Sequence, residues 1–268
     1  MLKITATATL ALLALTATGA QADDHSDLMA IGLSGDKMLH MIDANTATVG
    51  ESMEVTGVDR LLGIDLRPSN GQLIGVTDTF DIVEINPKTG EATVLSTMDK
   101  ELPIMDGAPV IVDFNPMADK LRFMSGTTNH RVDIESGAVT VDGSLAFEEQ
   151  DMHAGEAPAI AAAAYINSYG KPDSTAMFDI DSTIVALIQQ TSPNDGTLAA
   201  IGKLGIDGSD SYAFDIATDA DGNNTAWLVA AGQLHTVSLE DGSITESWDI
   251  QNAGDNVLRD ITFMTANM

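Results

Sequence analysis

Four aspartates recur at nearly regular intervals along the chain and are the first residues to consider for chemistry. Asp65, Asp113, Asp215 and Asp260 each stand in the middle of a short apolar run, and Ala164 occupies the matching place in a fifth run. The intervals between successive positions are 48, 51, 51 and 45 residues. If the five runs are equivalent strands around a common axis, four carboxylates converge there and could hold Ca²⁺, which takes six to eight oxygen ligands.

The same acids also admit a structural interpretation. Successive side chains of a strand point to opposite faces, so the sequence does not say whether each carboxylate faces a central channel or a neighbouring repeat. Facing a neighbour, each Asp would accept backbone N–H bonds or pair with an arginine. We expect this clamp more than a metal-ligand role, and both interpretations stay open.

Arginine is scarce in this acidic chain, so the position of each one is informative. Arg67, Arg122, Arg131 and Arg259 lie in or beside the repeated strands. Arginine suits bidentate carboxylate pairing, which predicts pairs with the repeated aspartates. The alternative is an anion or sugar-acid pocket built from Arg122, Asn129 and Arg131, and we keep these three with Arg67 as candidate binding residues. Burying Arg122 without a partner would be costly, so a partner must exist.

Other site chemistries find little support. The five histidines have no His-x-His or His-x-x-x-His spacing, which argues against zinc, and no Gly-x-Ser-x-Gly motif suggests a serine hydrolase. The stretch from Asp219 to Asn224 has calcium-loop residue types, but its glycine is in the fourth place, so a hairpin loop is the better interpretation. A cleaved N-terminus at Asp23-Asp24-His25 could chelate Cu²⁺, which we regard as incidental.

The elements that must position these residues are short β-strands. The clearest repeat runs from Leu61 to Leu95 and contains four alternating or β-branched segments separated by Ser-Asn-Gly and Pro-Lys-Thr-Gly turns. A second copy runs from Val110 to Val141, a third begins at Ala159, and a fourth begins at Ser211. Four antiparallel strands of this kind make one blade of a β-propeller.

Two incomplete repeats, one near each end of the chain, complete the count of blades. LMAIGL, KMLHMI and ESMEV near the start supply three strands, and VLRDITF near the end supplies one strand. Joined, they form a fifth blade in which the C-terminal strand is innermost and closes the ring. The sequence therefore predicts an all-β fold, a propeller of about five four-stranded blades. A β-sandwich or double barrel would have no reason to repeat Asp at this spacing.

At these residues the chain also resembles a family of exported bacterial proteins, the domain of unknown function 4394. The resemblance covers nearly the whole chain after the first 22 residues and is carried by LLGIDLRPSNGQL, VDFNPMADKLRFMS, NHRVDIESG, AAAYINS, SPNDGTLAAIGKLGID and SYAFDI. One turn departs from the family pattern, with IESG where Asn-Pro-x-Thr-Gly is expected. The resemblance implies a propeller-like fold and export, and it implies no activity.

Composition and the first residues set the cellular context. Residues 1–22 contain Lys3, an apolar stretch and an Ala-Gln-Ala ending, which predicts a cleaved signal peptide, and residues 23–27 form a short acidic tail. We expect residues 28–268 to form a single domain in the periplasm or outside the cell. The formal charge of −28 disfavours nucleic acid and anionic lipid, and no later segment is apolar enough to span a bilayer. With no cysteine, the fold depends on its core and its sheets.

These observations leave the function open between classes. The leading hypothesis is a non-enzymatic binding or scaffold propeller, expected to be a monomer, whose partner is a small molecule, a glycan or a protein. It requires no cofactor, although Ca²⁺ remains an option. The alternative is a Ca²⁺-dependent hydrolase or lactonase that uses channel-lining acids, and it lacks a visible general base. A third hypothesis is a structural surface protein with a solvated acidic shell.

Overall fold

The computed structural model describes residues 28–264 and contains strands, turns and loops but no helix within that range. Its strands form five sheets in chain order, which we number blade 1 to blade 5. Accordingly, no described helix is long and apolar enough to cross a membrane. The predicted signal peptide, residues 1–22, the acidic tail, residues 23–27, and the Asp23-Asp24-His25 chelate lie outside the described residues.

Each blade contains four antiparallel strands, ordered from the innermost strand near the axis to the outermost strand at the rim. Blade 1 contains β21 (Leu258–Met264), β1 (Met29–Ser34), β2 (Met38–Asp43) and β3 (Thr48–Glu54). Blade 2 contains β4 (Leu61–Leu66), β5 (Leu73–Thr77), β6 (Asp81–Ile85) and β7 (Ala92–Thr97). Blade 3 contains β8 (Ile111–Asn115), β9 (Lys120–Ser125), β10 (Thr128–Val132) and β11 (Val139–Val141).

The last two blades follow the same order. Blade 4 contains β13 (Ile160–Tyr165), β14 (Met177–Asp181), β15 (Ala186–Ser192) and β16 (Thr197–Lys203). Blade 5 contains β17 (Tyr212–Thr218), β18 (Asn224–Ala230), β19 (Gln233–Val237) and β20 (Ile244–Asp249). The one described strand that the repeats do not predict is β12 (Ala146–Phe147), which pairs in parallel with β16 at the outer edge of blade 4.

The ring is closed between the two ends of the described chain. Strand β21 pairs antiparallel with β1, so that Met29 lies opposite Met264 and Leu33 opposite Asp260. The innermost strands then contact one another in the cyclic order β21, β4, β8, β13, β17. The predicted five-bladed propeller with its C-terminal strand innermost in blade 1 is therefore confirmed.

Burial follows from the position of a strand within its blade. The inner strands β4 and β13 are buried along their whole length because neighbouring blades cover both of their faces, whereas the outer strands β7 and β20 are mostly exposed. Five apolar clusters fill the five seams between neighbouring blades. Each buried aliphatic or aromatic side chain contributes about 1.5–3 kcal/mol relative to exposure, so the seams hold the ring together.

The turn between the third and fourth strands also joins blades. Its glycine has positive φ in blades 2 to 5, at Gly90, Gly137, Gly196 and Gly242. A Cβ at Gly137 would lie 2.0 Å from the carbonyl oxygen of Thr97 on the preceding blade. Glycine is required there both for the left-handed backbone and for the close approach. The predicted Gly-containing turns thus also set the spacing of the outer strands.

Candidate functional site

Three of the repeated aspartates link their own blade to the next one. Asp65 Oδ2 on β4 accepts the Phe114 N–H of β8 at 2.7 Å, and Asp113 Oδ1 on β8 accepts the Tyr165 N–H of β13 at 3.0 Å. Asp215 Oδ2 on β17 accepts the Phe263 N–H of β21 at 2.7 Å. In each case the carboxylate satisfies a buried donor that the blade's own ladder leaves unpaired. These bonds are the backbone contacts expected of a clamp between blades.

Blade 1 fills the equivalent position with Thr262 and not with Asp260. Thr262 Oγ1 accepts the Leu66 N–H at 3.2 Å and donates to Asp65 Oδ1 at 2.7 Å, which reproduces the bond from each strand to the next. Asp260 instead accepts the Ile64 N–H at 2.7 Å, two residues earlier on β4. The register predicted for the last strand was therefore wrong by two residues. A register shift between Leu33 and Ser34 in the β1–β21 pairing accompanies this change.

Ala164 leaves the position in blade 4 without a polar group. The Ile216 N–H, which a side chain at position 164 would reach by analogy, donates to the carboxylate of its own neighbour Asp215 at 2.6 Å. Asp215 therefore accepts bonds on both oxygens, one from β17 and one from β21. Among the described inner strands, the contact between blades 4 and 5 is the one without a clamp from the preceding blade.

The three clamp carboxylates also converge on one point. Carboxylate oxygens of Asp65, Asp113 and Asp215 lie within 4.8 Å of one another, and the three residues are between 5 and 7 % exposed. Asp260 is not one of this group, which we call the acid cluster and define as Asp65, Asp113 and Asp215. The clamp and the convergence therefore occur together, because each side chain bonds across a seam while it remains near the axis.

Burial and mutual repulsion shift the proton affinities of these acids. Burial, and after it the charge of Asp215, raises the pKa of Asp65 well above its usual range. Burial likewise raises the pKa of Asp113, and the charges of Asp65 and Asp215 raise it further. Burial raises the pKa of Asp215 to about 6 and that of Asp260 to about 7, against accepted backbone N–H bonds that lower both values. Gathering negative charge here is costly.

The geometry of the acid cluster fits a hard divalent cation. Ca²⁺–oxygen distances of about 2.3–2.6 Å place oxygens on opposite sides of the ion about 4.6–5.2 Å apart, which matches carboxylate oxygens within 4.8 Å of one another. Asp65, Asp113 and Asp215 would hold such an ion, and Thr262, bonded to Asp65, stands beside them. A bound ion would supply positive charge that offsets the repulsion.

An open cavity of about 300 Å³ adjoins the acid cluster where the inner strands end. Asp65, Asp215 and Thr262 line it, together with Tyr169 from the loop after β13. Asp113 is not part of the lining. The cavity therefore gives access to two of the three clustered carboxylates from one face of the ring.

The arginines bind partners other than the repeated aspartates, so the predicted pairing is wrong. Arg67 donates to Asp119 and Glu135 on the third blade, and Arg259 donates to the backbone carbonyls of Leu61 and Leu62. These partners lie on the hairpin turns and on the edge of a strand. They could not be identified from spacing because they are far away in the sequence.

The predicted group of Arg122, Asn129 and Arg131 is brought together around an acid that sequence reasoning missed. Arg122 Nη1 donates to Asn129 Oδ1 at 2.8 Å and to Asp142 Oδ2 at 2.7 Å, and Arg131 pairs with Asp142 at 2.9 Å. Arg122 also contacts the hydroxyl of Tyr165 at 3.2 Å. Arg122 is 1 % exposed. Its ion pair with Asp142 provides the negative charge that the pocket hypothesis expected from a bound anion.

The histidines show a repeat that their sequence spacing hides. His40, His130 and His235 each stand at the third residue of the third strand, in blades 1, 3 and 5. Burial lowers the pKa of all three. His40 lies 2.7 Å from Ser34 Oγ and 2.8 Å from Ser52 Oγ, and His235 lies 2.7 Å from Ser247 Oγ. They are neutral packing residues in separate blades.

Comparison with known sequences decides the family. The sequence model described as "Domain of unknown function (DUF4394)" matches residues 38–262. The chain belongs to the DUF4394 family. The match begins in β2 and ends at Thr262 in the closing strand, so it includes blades 2 to 5 and, from blade 1, β2, β3 and most of β21. No curated protein matches the chain.

Solved structures similar to this DUF4394 protein are distant. A luciferin-regenerating enzyme is 12 % identical with a TM-score of 0.49, over 85 % of this chain and 74 % of that one. A calcium-binding protein, regucalcin, from Agrobacterium tumefaciens is 14 % identical with a TM-score of 0.45, over 80 % and 68 %. A protein of unknown function from Bacteroides caccae is 11 % identical with a TM-score of 0.43, over 84 % and 73 %.

Proposed function

We propose that this protein is a binding propeller that holds a divalent cation at the acid cluster, with Ca²⁺ as the ion whose chemistry fits best. The observation that carries the proposal is the convergence of three carboxylates from three different blades to within 4.8 Å. Hard oxygen donors without sulfur or imidazole suit Ca²⁺ in preference to zinc or copper.

The electrostatics of the acid cluster support the same role. Two of its acids have a pKa raised well above the usual range by burial and by neighbouring charge, so an ion-free cluster favours protonation over charge. A divalent cation would replace the protons and relieve the repulsion. Because the carboxylates also clamp the seams, binding would join blades 2, 3 and 5 to one ion. The proposed role is binding, and the hydrolytic alternative has no residue assigned as its general base.

The test is thermal melting of the full chain with Ca²⁺, Mg²⁺ or Mn²⁺ and with EDTA, combined with direct calorimetric titration of Ca²⁺. An ion at about 100 times its dissociation constant should add about 2.7 kcal/mol to the unfolding free energy. Asp113→Asn should remove this increase, because it deletes one ligand charge while keeping an oxygen acceptor for the Tyr165 N–H.

Asp221→Asn is the matched control, since Asp221 is an exposed acid of the loop between β17 and β18. Its melting response to Ca²⁺ should equal that of the unmodified chain. If none of the three ions raises the melting temperature, or if Asp113→Asn keeps the full Ca²⁺ response, the proposal is wrong.

A further inference from the structure

The cavity over the acid cluster has a charge balance that selects among ligands. Its lining includes the two acids Asp65 and Asp215 and one arginine, Arg67. That arginine is already committed, because Arg67 Nη2 lies 2.6 Å from Asp119 and Nη1 lies 3.0 Å from Glu135. The cavity therefore offers an anion no free positive charge from its own residues. The two acids of the lining therefore favour an uncharged or cationic ligand over an anion.

The aromatic residue Tyr169 also lines the cavity and comes from a loop held in place by other blades. Tyr169 lies in the loop after β13, whereas Leu66 and Phe263, which line the cavity beside the acids, pack their side chains into the seams. The Gly170 N–H of this loop donates to the Pro68 carbonyl of blade 2 at 3.1 Å, across the mouth of the channel.

Blade 5 fixes the same loop from the other side. The Ser168 N–H donates to Thr218 Oγ1 at 2.8 Å, and the Asn167 N–H donates to Asn224 Oδ1 at 2.8 Å. The Asn224 side chain in turn donates to Asn167 Oδ1 at 2.9 Å. A loop bound at both ends of its short span keeps Tyr169 beside the cavity before a ligand arrives, which lowers the entropic cost of binding.

A cation in the acid cluster would have coordination positions to spare on the cavity side. Ca²⁺ takes six to eight oxygens, and the three aspartates supply three to six of them. Asp65 and Asp215 reach both the ion and the cavity, so the remaining positions open towards the ligand. Paired hydroxyl groups on one molecule could occupy two of these positions.

We infer that the cavity takes a neutral, monosaccharide-sized polyol, whose vicinal hydroxyls complete the coordination of the ion and whose C–H face packs on Tyr169. The inference rests on the proposed function, since the polyol coordinates the ion that the acid cluster is proposed to hold. A volume of about 300 Å³ is at the lower end of the range for small-molecule sites. A sugar ring combines hydroxyl edges with apolar faces, which matches a cavity lined both by carboxylates and by the aromatic residue Tyr169.

Ligand-observed NMR and calorimetry on the full chain test this inference. The probes are D-glucose, D-galactose, D-mannose and myo-inositol, each titrated with saturating Ca²⁺ and again with EDTA, and D-glucuronate as the charged comparison. At least one neutral probe should bind with Ca²⁺ and lose its binding in EDTA. Tyr169→Ala should weaken that binding about tenfold or more while leaving the titration of Ca²⁺ alone unchanged.

Lys171→Ala is the control, because Lys171 lies two residues further along the same loop and does not line the cavity. It should bind the polyol as the unmodified chain does. Ca²⁺ binding with no bound probe, polyol binding that persists in EDTA or in Tyr169→Ala, or glucuronate binding as tight as that of the best neutral probe would each overturn the inference. If the unmodified chain does not bind Ca²⁺ at all, the proposed function is overturned instead.

Discussion

Two neighbouring seams of the ring are both filled by apolar clusters but differ in the polar groups at the clamp position. Between blades 3 and 4, Asp113 clamps the Tyr165 N–H, Arg122 reaches the Tyr165 hydroxyl, and the Asn129 side chain donates to the Pro193 carbonyl at 2.7 Å. Between blades 4 and 5, the clamp position is Ala164, within an apolar cluster that includes Phe178 and Phe214. Both seams join the inner strands of neighbouring blades in the same ring.

The difference teaches that strand geometry sets the contact between blades, while the side chains that stabilise it can vary. The seam between blades 4 and 5 has polar bonds at its end, through the reciprocal pair of Asn167 and Asn224. Its inner strand carries the run Ala161–Ala164, whose small side chains let the sheets approach. A carboxylate at position 164 would add a fourth negative charge beside the acid cluster. Alanine at this position avoids that repulsion.

The largest expected effect is removal of the arginine that the polar seam depends on. Arg122→Met should destabilise the protein by about 3–5 kcal/mol, because it leaves the carboxylate of Asp142, which is 5 % exposed, without its buried partner. Chemical denaturation at pH 7 measures this loss. Arg131→Met is the matched control, since Arg131 contacts the same carboxylate but is 32 % exposed and should cost much less. Equal losses would contradict the importance of the buried pair.

A smaller effect measures what the hydrogen bond from the Tyr165 N–H to Asp113 contributes to stability. Asp113→Ala should destabilise the seam by about 1–3 kcal/mol relative to Asp113→Asn, because alanine leaves the buried Tyr165 N–H without an acceptor. Both variants remove the same charge, so their difference in EDTA excludes electrostatic and metal effects. If the two variants unfold at the same denaturant concentration, the clamp contributes nothing to stability.

The last expected effect depends on pH and concerns Asp179, a buried acid of blade 4 that is not part of the acid cluster. Burial raises the pKa of Asp179 to about 8, against the bond from Gln190 and the charge of Arg122, which lower it, while Asp181 adds to the rise. The folded protein then holds a proton that the unfolded chain releases above its ordinary pKa near 4. Asp179 therefore lowers stability as pH rises from about 4 to about 8, by about 1.4 kcal/mol per pH unit.

Asp179→Asn should remove this slope, which melting curves between pH 6 and 8 would reveal. Gln190 Nε2 donates to both carboxylate oxygens of Asp179, so the amide oxygen of asparagine can still accept a bond from it. We expect the variant to be more stable than the unmodified chain at pH 8 and to differ less at pH 6. An unchanged slope would show that Asp179 is ionised in the folded protein.

Much of the site could be located from the sequence but not completed. Spacing drew attention to Asp65, Asp113 and Asp215, and the structure places their carboxylate oxygens within 4.8 Å of one another. Spacing failed for the last strand, because Asp260 and Thr262 are two residues apart and so occupy the same face of an alternating strand. The register shift opposite Ser34 interrupts the regular pairing of that strand and is a property of the paired sheet.

The sequence by itself determined the strands, the turns, the number of blades and the closing of the ring, because alternation and Gly-containing turns are local signals that recur in every repeat. Only the tertiary structure decided which partners the charged residues bind. Asp142 lies 20 residues from Arg122, and Asp119 lies 52 residues from Arg67, yet each pair is in contact. The contact of Arg67 depends on how blade 2 stacks on blade 3, and the contact of Arg122 depends on how the strands of blade 3 pair. For the same reason, the repeated aspartates are both clamps between blades and a cluster near the axis.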